Sequence, residues 1–175
     1  MHELTRGEPS IDVVWRAFEL RPPPVPPLDP DGEYLHNAWT NSVYPLAEKL
    51  GITMKLPPVQ PRTRLAHQAA HWARTRERFD AYHEGLFRAF FERGEDIGEV
   101  PVLVRLATDL GLDGGALREA LAGGALEASV IADERDAQRL GVRGVPAFVA
   151  DRRALLSGVQ SVETLRRLIG HVRAA

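Results

Sequence analysis

Few residues in this sequence are of types that do covalent or metal chemistry. There is no cysteine, so these residues supply no thiolate nucleophile, disulfide, iron–sulfur ligand or cysteine-based zinc site. His67 and His71 stand four apart in "RLAHQAAHWAR", a helical spacing that can aim two imidazoles at one metal. They share a helix face with Arg74 and Arg78 and have no acidic third ligand nearby in sequence. The pair therefore reads as solvated or packing, and no metal is expected. Glu92, Glu95 and Asp96 could act as paired carboxylates, but they fall at the end of a helical run, where surface charge is the simpler reading. Ser157 and Ser161 have no visible His–Asp partners, so no hydrolase is proposed and no catalytic residue is assigned. What remains is "GVRGVPAFV", residues 141–149, in which Gly144, Val145 and Pro146 lead into an apolar run. Taken alone, that proline is an ordinary one opening a strand.

The elements that position these residues follow from periodicity and breakers. Residues 10–22 alternate Ile11, Val13, Trp15 and Ala17 with their neighbours and are rich in β-branched and aromatic types, which predicts a strand of about eight residues. Residues 22–30 form a proline-rich connector, unsuited to helix or sheet interior. Residues 31–140 have a helical period. Asp31 is expected to cap a helix that Pro45 interrupts and Gly51 stops, and further helices end at Gly94, Gly111 and Gly141. Asp113 caps a short helix among them. Tyr82, Phe87, Phe90 and Phe91 make an aromatic stripe expected in the core. Strands at residues 147–151 and 154–158 then form a hairpin whose turn uses Arg152 and Arg153, and Ser161 caps a last helix with Glu163 in its first turn. The domain reading is thus residues 10–22 with 141–173 as an α/β part, and 31–140 as a helical insertion.

The chain has 175 residues, 44% hydrophobic and 26% charged, with a net charge of −2. That is enough for one domain with a buried core. Neither sign of charge clusters, so no nucleic-acid or anionic-membrane partner is expected. There is no run of apolar residues long enough to span a bilayer and no signal-peptide profile at "MHELTRGEPS", so a cytoplasmic location is expected.

The order strand, helices, strand, strand, helix, with "GVRGVPAFV" and a following "SG", resembles the DsbA-like branch of the thioredoxin superfamily. The likeness extends to FrnE-like proteins, hydroxychromene-carboxylate isomerases and kappa-class glutathione transferases. "VVWRAFELRP" looks like that family's second strand, and "PRTRLAHQAAHWA" like a helix of its insert, with Arg62 where an Asn is usual. The resemblance implies a thioredoxin-like α/β fold with a helical insertion. It also implies a cis bond at Val145–Pro146, and a substrate groove at Gly144, Val145 and Pro146 that pairs with an extended peptide or with glutathione. The activity it implies is thiol–disulfide oxidoreduction. Its partners would be a protein thiol or disulfide or a glutathione-like molecule, glutathione being the one cofactor it admits.

In that family a strand and a Cys-x-x-Cys helix precede the segment matched here, and "MHELTRGEP" looks like the last turn of that helix. Without the first strand, the strands at 10–22 and 147–151 would flank a gap of roughly 10 Å, since neighbouring strands lie ~4.8 Å apart. Each unpaired buried backbone group costs ~1–3 kcal/mol against a total stability of about 5–15 kcal/mol. Three arrangements remain open: a longer natural protein, a strand from a second copy in a homodimer, or direct re-pairing of the two flanking strands. Two functions other than oxidoreduction also remain: non-redox peptide or glutathione binding, and glutathione-dependent isomerisation.

Overall fold

The computed structural model describes residues 2–174, and the chain packs into two units, residues 21–129 and residues 1–20 with 130–175. The larger unit is helical. Its first helices, α2 (Glu33–Ala38) and α3 (Tyr44–Leu50), are joined by a π-helical turn, Trp39–Val43. Pro45 accounts for that turn. It has no N–H to donate, and the ladder slips by one residue so that the Tyr44 N–H reaches the Trp39 carbonyl five residues back. Asp31 does not cap α2, contrary to expectation. The N-cap is Gly32, while Asp29 Oδ1 accepts the Asp31 N–H at 3.0 Å, so the acidic side chain organises the turn before the helix. Gly51 ends α3 in the left-handed region at φ 65°, where a residue without Cβ carries no steric cost.

Helices α4 (Arg64–Arg74), α5 (Phe79–Phe87), α6 (Val100–Asp109) and α7 (Gly114–Ala122) enclose the core of this unit. Small side chains on α4, Ala66, Ala69, Ala70 and Ala73, let it approach its neighbours closely. Tyr82 on α5, fully buried, donates its hydroxyl to the Leu103 carbonyl on α6 at 2.9 Å. Asp113 caps α7 by accepting from the Ala116 N–H, as its position before the helix predicts. Of the aromatic stripe, Tyr82 is core and Phe90 packs against it, but Phe87 is 49% exposed. A second π-helical turn, Arg88–Glu92, follows Phe87 and breaks the 3.6-residue register on which the stripe was drawn.

The smaller unit holds α1 (His2–Gly7), most of α8 (Glu127–Arg139), strands β1 (Ala147–Ala150) and β2 (Ala154–Ser157), and α9 (Val162–Ala174). Most of α8 therefore packs with this unit rather than with the helical insertion. Ser161 Oγ accepts the Thr164 N–H at 3.1 Å and so caps α9. The sheet is a two-stranded antiparallel hairpin.

The predicted strand at residues 10–22 is corrected here, because the segment joins no ladder. Its burial alternates only in part: Ile11, Val13, Ala17 and Glu19 are more covered than Asp12, Val14, Arg16 and Leu20, but Trp15, expected on the covered side, is 39% exposed, and Phe18 on the other side is half-buried. The side-chain pattern of a strand is thus only partly present. What is missing is a neighbouring strand at pairing distance.

Candidate functional site

The hairpin's geometry decides which of its backbone groups are free. Ala147 stands opposite Ser157 and Ala150 opposite Ala154, so the register extends to Pro146 opposite Gly158, and the Gly158 N–H donates to the Pro146 carbonyl at 2.8 Å. In an antiparallel ladder hydrogen-bonded pairs alternate with non-bonded ones. Phe148 and Ala150 therefore point their N–H and C=O groups at β2. Ala147 and Val149 point theirs the other way, along an edge that pairs with no other strand among the described residues. Val145 is 49% exposed and Val149 37%. Gly144 has nothing within 4 Å of the position a Cβ would take, so the approach to this edge is open on that side. The Val145–Pro146 peptide bond is cis.

The other end of the hairpin is held by a charge clamp. The Arg153 N–H closes a turn on the Ala150 carbonyl at 3.0 Å, and both central residues, Asp151 and Arg152, have positive φ, 49° and 59°. This is a type I′ geometry, which suits the twist of a hairpin but is unusual for an arginine. Arg152 is held in it by Asp136 on α8. Two nitrogens of the guanidinium reach the carboxylate, at 2.5 and 2.7 Å, and hold the Asp136 carboxyl below its ordinary pKa. The same helix fixes the segment before the connector. Asp133, 4% exposed, accepts the Ala17 N–H at 2.9 Å and the Arg16 guanidinium at 3.0 Å. One turn of α8 thus ties both the hairpin and residues 16–17.

The predicted site residues Gly144, Val145 and Pro146 all lie at the start of the open edge. Asp133 and Asp136 were not singled out in the sequence, since "ADERDAQR" reads as an ordinary charged helix face. Arg62 was noted only as a departure from a family pattern. Here it donates to the carbonyls of Arg21 and Val25, at 2.7 and 2.6 Å, and fastens the proline-rich connector. His71 lies beside Arg74, with Nδ1 3.5 Å from its guanidinium, and no group of three metal-ligating side chains occurs among the described residues. Glu95 pairs with Arg93 and Arg105, and Asp96 Oδ1 accepts the Gly98 N–H. Those carboxylates are therefore used in ion pairs and a turn. None of the described helices is long and apolar enough to cross a membrane.

The sequence profile of the DSBA-like thioredoxin domain matches residues 1–170. This chain belongs to that family. A solved structure with the same fold, that of the probable DsbA oxidoreductase SCO1869 from Streptomyces coelicolor, superposes with a TM-score of 0.79 at 26% identity. The superposition covers 99% of this chain and 81% of that one. The uncharacterized protein YwbO of Bacillus subtilis is 38% identical over 125 residues, which are 68% of this chain and 60% of that protein. The likeness thus spans somewhat less than two thirds of YwbO's own length. The DSBA-like assignment gives the hairpin its place in the fold: β1 and β2 are the strand pair of a thioredoxin-like sheet, and α9 is the helix that closes it. The sequence has no cysteine, so in this DSBA-like chain the Pro146 loop stands without a thiol contributed by these residues.

Proposed function

We propose that this chain holds an extended peptide along the free edge of β1, from Val145 to Val149, as the substrate-binding part of DsbA-type thiol–disulfide chemistry. The observation that carries this is the outward direction of the Ala147 and Val149 N–H and C=O groups. An edge of that kind accepts a further strand through main-chain hydrogen bonds, whatever side chains the strand carries. The residues of this chain do two things in that role. The backbone of β1 supplies paired donors and acceptors about 6.6 Å apart, two residues along a strand. The Asp136–Arg152 clamp and the Pro146–Gly158 hydrogen bond keep the hairpin in register while the edge is used. The sulfur chemistry of the reaction requires a thiol that these residues do not contain.

The test is binding of a labelled peptide of alternating apolar and polar residues, followed by fluorescence anisotropy. Val149→Pro removes only an outward N–H, which an edge strand tolerates, and it should abolish binding while the fold is kept. N-methylation of alternate peptide amides should do the same without touching the protein. Full-strength binding of the methylated peptides in both registers would refute the edge as the site.

A further inference from the structure

Trp39 and Tyr44 stand five residues apart in "WTNSVY". In an α-helix that spacing would turn the two side chains about 140° away from each other. The π-helical turn Trp39–Val43 widens the coil instead, so that the Tyr44 N–H reaches the Trp39 carbonyl and the two rings come onto one face. Their centroids lie 5.4 Å apart with the planes at 67°, which makes an aromatic corner. Both walls are fixed in place. Trp39 is buried and packs on Phe91 at 6.1 Å, and the Tyr44 hydroxyl oxygen accepts the Leu56 N–H at 3.2 Å. The corner lines a surface cavity of about 250 Å³ in the helical unit, bounded further by Leu56, Pro57, Pro58 and Asp31. Asp29 Oδ1 holds the Asp31 backbone through its N–H, while the Asp31 carboxylate makes no hydrogen bond or ion pair among the described residues. No lysine or arginine is among the described residues that line the cavity.

These walls select by charge and by hydration. Electron-rich ring faces and one carboxylate attract a cation and repel an anion. A primary ammonium brings three N–H donors, for which the apolar walls and the engaged Tyr44 oxygen leave few acceptors. A fully methylated ammonium has no such need. The volume lies below the about 300–1,000 Å³ of pockets for drug-sized molecules and suits a compact head group. We propose that this cavity binds a small, free quaternary ammonium molecule of the choline type, with Trp39 and Tyr44 as its aromatic walls and Asp31 as its counter-charge. The site shares no residue with the β1 edge, and neither reading depends on the other.

The experiment titrates three probes into the full chain and reads amide and indole chemical shifts by NMR. They are choline, the neutral alcohol in which carbon replaces its nitrogen, and phosphocholine. Choline should give saturable shifts at Trp39, Thr40 and Tyr44 and bind about ten-fold more tightly than the neutral alcohol, the combined effect of ring faces and a carboxylate. Phosphocholine should bind more weakly than choline, since no basic side chain lining the cavity meets its phosphate. Asp31→Asn, an isosteric change at an exposed position, should weaken choline about two- to five-fold. Tyr44→Leu should weaken it about two- to thirty-fold, whereas Tyr44→Phe keeps the ring and should bind choline nearly as the unmodified chain does. Absence of saturable choline shifts, saturable shifts that spare the Trp39 indole, equal binding of the neutral alcohol, or undiminished binding in both Asp31→Asn and Tyr44→Leu would overturn the inference. Tighter binding of phosphocholine than of choline would overturn the assignment to a free cation and point to a lipid headgroup.

Discussion

At the scale of single residues, the histidines show how environment decides a role that spacing leaves open. His83 stacks on Phe79 at 5.0 Å and meets Phe87 edge-on at 4.6 Å. Burial lowers its pKa, His67 and Arg74 reinforce the shift, and Asp80 opposes it. The unfolded chain then takes up a proton at higher pH than the folded chain does. Stability contributed by neutral His83 is therefore full above the ordinary imidazole value of about 6.5 and is lost as pH falls towards the lower folded value. Urea unfolding followed from about pH 7.5 down to 5 should show this decline, and His83→Phe, which keeps the ring stack, should flatten it. An unchanged slope in the variant would mean that His83 is not the group that titrates. The sequence showed His67 and His71 as a pair and passed over His83, because nothing in a one-dimensional pattern reveals an imidazole held between two phenyl rings.

At the scale of elements, α8 does the most with the least visible signal. Asp133 is legible only as one acidic residue among several, yet its buried carboxylate replaces the missing strand neighbour at one point by taking the Ala17 N–H. Asp133→Ala leaves that buried donor unpaired and removes the partner of Arg16, at a cost of about 1–3 kcal/mol. Thermal or urea unfolding should register the loss, with Asp133→Asn intermediate because it keeps one acceptor. A change below ~0.5 kcal/mol in Asp133→Ala would show that water satisfies the Ala17 amide instead. The helices themselves were largely readable, since caps at Asp113 and Ser161 and stops at Gly51, Gly94, Gly111 and Gly141 are local signals. The strand at residues 10–22 was not, although its sequence alternates and part of its burial follows that alternation. Alternation reports which side chains face a core, whereas a strand also needs a partner, and partners are set by distant parts of the chain.

At the scale of the whole molecule, the thioredoxin-like sheet of a DSBA-like domain is represented among the described residues by one hairpin and the unpaired segment 10–22. Direct re-pairing of residues 10–22 with β1, one of the three arrangements the sequence left open, does not occur. The family and the two-stranded end of the sheet could be read from "GVRGVPAFV" and the elements around it. Which face of the backbone stays free could not, because that depends on the hairpin register fixed by the Gly158–Pro146 bond and the Asp151–Arg152 turn. The central claim is that the Ala147 and Val149 backbone groups are the ligand's hydrogen-bonding partners. Residue-resolved amide hydrogen exchange tests it most directly. In the free chain the Ala147 and Val149 amides should exchange faster than those of Phe148 and Ala150, which are bonded to β2. Saturating peptide should slow Ala147 and Val149 selectively, and leave Phe148 and Ala150 little changed. Exchange at Ala147 and Val149 that stays fast with peptide bound, or protection that appears at other residues alone, would contradict the account.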